Sequence, residues 1–199
     1  MNDGLFYWEM GQPSEQDIIY HNDPFYNECR AYGRIKEGLS GTRKTQDIIV
    51  PCHGFLFLSN DDMQLLESKG IDLGARGETG LARAIVKEYI PPGTGHGITN
   101  KSLRSTLGKL RRLNRLKIYT QDIRLDNFLG GKLVDFGQAI TEPHYRMEHF
   151  EKTNPAEARD TRSTDLVMFD EMVAEERFLT SVKALPNQVY RGKLRNYRS

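Results

Sequence analysis

Residues 120–139 read "TQDIRLDNFLGGKLVDFGQA", and the reading of this stretch decides the fold. A Gly-Gly pair suits the two central positions of a tight primed turn, so "NFLGGKLVDF" (127–136) predicts a β-hairpin turning at Gly130-Gly131. A hairpin brings its ends together. Asn127 on the incoming side and Asp135 on the outgoing side then face one small volume, with Asp122 at its rim. An amide oxygen and a carboxylate that converge suit Mg²⁺, a hard cation that takes oxygen ligands and keeps phosphate oxygens as well. A second carboxylate beside them could orient a hydroxyl for attack on a phosphate. Isolated acids on a hairpin would be solvated surface; the Asp-x₄-Asn spacing followed by Asp-Phe-Gly argues for a site.

Upstream, "NKSLRSTLGKLRRLNRLK" (100–117) predicts a helix, with Leu103, Leu107, Leu110, Leu113 and Leu116 on one face and Asn100 as its cap. Seven basic residues lie between 101 and 117. A nucleic-acid or lipid-facing helix would carry such a face, but the leucine stripe reads first as a core helix with a solvated basic side. "GHGITNKS" (95–102) nearly spells a phosphate loop, yet Asn100 stands where the second glycine is needed. "PPGTGHG" (91–97) breaks regular structure and marks a lobe boundary. Before it, "LARAIVKEYI" (81–90) reads as a buried strand, "DIIVP" (47–51) and "HGFLFLS" (53–59) as strands, and 60–80 as loop. "PFYNECRAYGRIKE" (24–37) reads as a helix capped by Asp23, with Phe25, Cys29, Tyr32 and Ile35 on one side. Residues 1–22 form an acidic, aromatic start.

The 199 residues carry 28 Lys+Arg against 27 Asp+Glu, a net charge of +1, and 38% hydrophobic residues. That is enough for one core built as one domain or two small lobes. No apolar run reaches the ~18 residues of a membrane span and no basic n-region opens the chain, so the expected compartment is nucleus or cytoplasm, with no membrane partner. Cys29 and Cys52 form no CxxC and are expected as free thiols.

"DIRLDN" followed by "LVDFG" resembles the catalytic and metal-binding loops of the protein-kinase-like superfamily. The resemblance implies an α+β, two-lobed kinase-like fold with a truncated N-lobe and a minimal C-lobe. The lobes would be a partial small lobe (1–90), a helical lobe with the hairpin (91–180) and a mobile basic tail (181–199). It makes Asp122 the catalytic aspartate and places Arg124 where a phosphate-facing lysine is common. Asn127 and Asp135 become Mg²⁺ ligands. "AIVKEYI" is similar to the strand entering the interlobe hinge, so the Glu88 carbonyl and Ile90 amide would meet the adenine of ATP. Glu28 looks like the small-lobe helix glutamate, and Asp165 in "STDLVMFDEMV" like the buried aspartate that braces the catalytic loop. More narrowly, "PFYNECRAYGR" and "GGKLVDFGQAITEPH" are similar to a fungal group of short kinase-like proteins that includes a subunit of an inner-centromere kinetochore complex.

The departures from the superfamily pattern are equally specific. No lysine precedes Glu28, the first being Lys36, and residues 1–35 hold only Gly4, Gly11 and Gly33. The chain is expected to begin after the glycine loop and strand lysine, which leaves Glu28 idle. Thr120 replaces the histidine of His-Arg-Asp, and the interval to Asp-Phe-Gly is compressed. The main expectation is a degenerate or truncated kinase-like domain with a weak ATP/Mg²⁺ site and little or no phosphoryl transfer. One alternative is an active phosphotransferase completed by a missing N-lobe. The other is a non-catalytic kinetochore or chromatin scaffold with protein partners in a multi-subunit assembly, its basic tail able to touch nucleic acid.

Overall fold

Leucines spaced three and four apart build the centre of the molecule. In the computed structural model, which describes residues 13–38, 47–71 and 82–185, helix α4 (Leu103–Arg115) buries Leu103, Leu107, Leu110 and Leu113. Its cap is Ser102, two residues after the Asn100 that the sequence suggests, and Ser102 and Thr99 satisfy one another's amides through their hydroxyls. Its basic face is only partly solvated. Lys109 Nζ donates to the Gly131 carbonyl at 2.8 Å and Arg111 to the Ala184 carbonyl at 3.2 Å.

Before α4 come α1 (Glu15–Asn22), α2 (Pro24–Gly38), β1 (Cys52–Phe57), α3 (Asn60–Ser68) and β2 (Arg83–Lys87). After it come β3 (Ile118–Tyr119), a 3₁₀ turn (Leu125–Asn127), β4 (Phe128–Leu129), β5 (Lys132–Leu133), β6 (Ile140–Thr141), α5 (Tyr145–Thr153) and α6 (Pro155–Glu175). The chain is α+β: three antiparallel pairs, β1–β2, β3–β6 and β4–β5, stand among six α-helices and one 3₁₀ turn of the described residues. One apolar core joins Ala31, Tyr32 and Ile35 of α2 to the leucines of α4, Phe128 and Leu133 of the hairpin, Phe136, and Phe169 of α6.

Several elements differ from the sequence reading. The stretch 60–80, read as loop, opens with α3, and residues 1–22 contain α1. Each helix starts with a Ser-x-x-Asp capping box, Ser59 with Asp62 and Ser14 with Asp17. "DIIVP" is not a strand but an isolated bridge: Ile48, Ile49 and Val50 are buried, the Leu133 amide donates to the Ile48 carbonyl and the Val50 amide to the Leu133 carbonyl. β2 is shorter than the 81–90 run and half-exposed, because it pairs only with β1 among the described residues. α6 is capped by Asn154, and its buried Asp170 accepts the Ala184 and Leu185 amides. The tail beyond residue 185 lies outside the described residues. No described helix is long and apolar enough to cross a membrane, and Cys29 and Cys52 are free thiols.

The near-phosphate loop has a different task. The Gly95 and His96 carbonyls accept the Gly130 and Gly131 amides, clasping the hairpin turn. Gly97 lies at φ 70°, and a Cβ there would overlap Gly131 N and stand 2.6 Å from Gly130 C. Its glycine permits the clasp.

α1 and α5 meet through His21 and His144, whose rings lie 4.4 Å apart. Arg30 can only donate to His21 Nδ1, and the Arg146 amide donates to His144 Nδ1 at 3.2 Å, so both rings are neutral with the proton on Nε2. Burial, with nearby Arg30 (and, at His144, His21 and Arg146), pulls each pKa down to about 4. A histidine whose folded pKa lies below its unfolded value protonates preferentially in the unfolded chain. The stability is therefore full above about pH 6.5 and is lost as pH falls toward 4. His144, 2% exposed, should cost on the order of 2 kcal/mol between pH 7 and 5. Urea midpoints at the two pH values measure this loss; His144→Asn, which can still cap α5, should remove much of it.

Candidate functional site

Gly130 and Gly131 both take positive φ, 56° and 77°, as a primed turn requires, and the strands pair Phe128 with Leu133 and Leu129 with Lys132. The pairing continues as the Val134 amide donates to the Asn127 carbonyl at 3.1 Å, which sets Asn127 one residue pair from Asp135. The Asn127 amide donates to both the Asp122 carbonyl and Asp122 Oδ2, each at 2.9 Å. Arg124 lies 3.4 Å from the same carboxylate. Asp135 Oδ1 accepts the Gly137 amide at 2.8 Å, closing the Asp-Phe-Gly turn over the fully buried Phe136. Asn27 of α2 holds the other side by donating to the Gly137 carbonyl.

Glu28 is not idle. Lys87, the last residue of β2, donates to Glu28 Oε1 at 2.5 Å and to the Val134 carbonyl at 2.6 Å. The expectation that no lysine completes the pair is thus corrected: the partner comes 59 residues after Glu28, not before it. The strand read as the hinge approach delivers it, and the signal was present in "AIVK", an apolar strand ending in lysine. Burial pushes the Glu28 carboxyl above its ordinary pKa, Lys87 pulls against that, and neighbouring Asp135 adds to the rise.

Glu28, Lys87, Glu88, Ile90 and Asp135 line one cleft of about 420 Å³ with Val50, Leu129 and Val134. Four residues expected from sequence, Glu28, Glu88, Ile90 and Asp135, are therefore brought together. Asp122, Arg124 and Asn127 sit on the adjoining loop, outside this lining. Glu88 also meets His53 Nε2 at 3.1 Å. No group of three or more His, Cys, Asp or Glu among the described residues could hold a metal, so a cation here would need phosphate oxygens. The donor set fits that case. Both Asn127 amide hydrogens are spent on Asp122, which leaves its oxygen for a ligand, Asp135 supplies an anion, and Lys87 supplies a charge for phosphates.

Asp165 lies fully buried under the loop. It accepts the Thr120 amide at 3.0 Å, the Thr120 hydroxyl at 2.9 Å and the Gln121 amide at 2.9 Å. Burial raises its pKa and the three donors oppose the rise. Gln121 is held at φ 59°, a left-handed conformation costing roughly 1 kcal/mol for a residue with a Cβ. Thr120 is thereby tied to Asp165 through both its amide and its hydroxyl.

A protein-family model described as kinetochore Sim4 complex subunit FTA2 matches residues 7–140, more than half of the chain. Comparison with curated proteins and with solved structures found no match.

Proposed function

The chain belongs to this family of kinetochore subunits, and from that premise we propose that it is a nuclear, non-catalytic scaffold within a multi-subunit kinetochore assembly. The family match carries the reading. The Asp122 loop has Thr120 in place of histidine, and Thr120 is committed to Asp165. The chain's ordered core would then be a kinase-like framework kept for its surfaces. The braced loop, the Asp-Phe-Gly hairpin and the Lys87–Glu28 pair support that descent. Chromatin immunoprecipitation of the tagged chain tests the scaffold reading. Enrichment on centromeric DNA over chromosome arms is the expected result; equal signal on both would contradict it.

The Lys87–Glu28 contact favours a second reading, in which the cleft holds ATP and Mg²⁺ weakly without transferring phosphate. Asp135 and Asn127 would hold the metal and Lys87 the phosphates. At about ten times Kd, mass action adds about 1.4 kcal/mol, a rise of a few degrees in Tm. A melt with ATP and Mg²⁺ together should show it, either ligand alone should show less, and Asp135→Asn should abolish it. No rise at millimolar ligand would remove this reading.

A further inference from the structure

The leucines of α4 face the core, and the side they leave outside is basic. The exposed positions recur three and four apart and hold Lys101, Arg104, Ser105, Gly108, Arg111 and Arg115. No acid lies between 101 and 117. Among the described residues, no ion pair or side-chain hydrogen bond engages Lys101, Arg104 or Arg115. Between the arginines, a Cβ at Gly108 would meet nothing within 4 Å, so the ground there is open.

Both flanks keep the positive sign. On the hairpin side, burial pulls the Lys109 ammonium below its ordinary pKa; Asp47 opposes the fall and Lys132 adds to it, so the acid on that flank is matched by a lysine. On the other side, Arg111 donates to the Ala184 carbonyl at 3.2 Å, which sets the exposed Lys183 at the edge of the face. The described chain ends at the next residue, Leu185, and 186–199 hold Arg191, Lys193, Arg195 and Arg198 with no acid. The segment that starts at this edge therefore repeats the charge of the face and does not neutralise it.

We propose that the exposed face of α4 is a docking surface for the phosphate backbone of duplex DNA, held without reading the base sequence. Arg104, Arg111 and Arg115 stand about 10 and 6 Å apart along the helix axis, the scale of the major and minor grooves of B-DNA, about 12 and 6 Å wide. A lipid surface would need an apolar helix face to insert, and the leucines of α4 are buried in the core. A protein interface would need an apolar centre, and none of the six exposed positions carries an apolar side chain. The choice of DNA as the source of the phosphates rests on the scaffold reading; the attraction for a polyanion rests on the face alone.

The test is an anisotropy titration of the full chain against two labelled DNA duplexes of unrelated sequence, with polyglutamate, duplex RNA and phosphatidylserine vesicles as separate competitors. Both duplexes should bind equally. Four phosphate contacts, from Lys101, Arg104, Arg111 and Arg115, predict that affinity falls roughly a hundredfold between about 50 and 200 mM salt. The double variant Arg104→Gln, Arg115→Gln removes two of them, and the fall should shrink to roughly tenfold. Its Tm should match wild type, since neither arginine has a partner among the described residues. The proposal is overturned by no binding at about 100 µM protein in the lower salt, by a salt dependence that the double variant leaves unchanged, or by a strong preference for one duplex. Displacement by polyglutamate or vesicles as effective as that by unlabelled DNA also overturns it, and tighter binding of duplex RNA would overturn DNA as the partner. Centromere enrichment is measured separately, so a failed titration leaves the scaffold reading standing.

Discussion

Replacing Asp165 with alanine should cost about 3–5 kcal/mol, the range for removing one partner of a buried charged network. Three donors, the Thr120 amide and hydroxyl and the Gln121 amide, lose their acceptor at a site with no solvent contact. The left-handed bend at Gln121 also loses the bond that holds it. At ~2–4 °C per kcal/mol for a domain of this size, Tm should fall by roughly 10 °C. Asp165→Asn, which keeps one acceptor oxygen, should lose less. A melt unchanged in Asp165→Ala would mean that the loop is held by other contacts.

The second large effect belongs to Lys87→Met. It strands the Glu28 carboxylate, whose side chain is 12% exposed, beside Asp135. Lys87 itself is 26% exposed, so the cost should fall below the 3–5 kcal/mol of a fully buried pair, at about 2–3 kcal/mol. Much of that is the penalty of the unpaired carboxylate. Adding Glu28→Gln should therefore restore a good part of the stability, and a double-mutant cycle on urea midpoints should give a coupling above about 1 kcal/mol. Additive single effects would mean that the pair is incidental to the fold.

The hairpin, α4 and the start of α2 were legible because each is a local pattern: a glycine pair, a leucine stripe, an Asp-Pro helix entry. The buried role of Asp165 followed from the resemblance of its surroundings to a known brace. What escaped was of two kinds. α1 and α3 are short helices whose main signal is a Ser-x-x-Asp box, with aspartate where glutamate is the commoner third residue. The Lys87–Glu28 pair joins residues 59 apart and depends on how β2 crosses α2, which no local spacing encodes.

If the chain serves as a scaffold and not as a phosphotransferase, its place at the centromere does not depend on the Asp122 carboxylate. Asp122→Asn addresses it most directly, introduced in place of the native gene and paired with a melt to verify folding. Centromere enrichment of the variant should equal that of wild type. Loss of enrichment in a variant that melts normally would contradict the account.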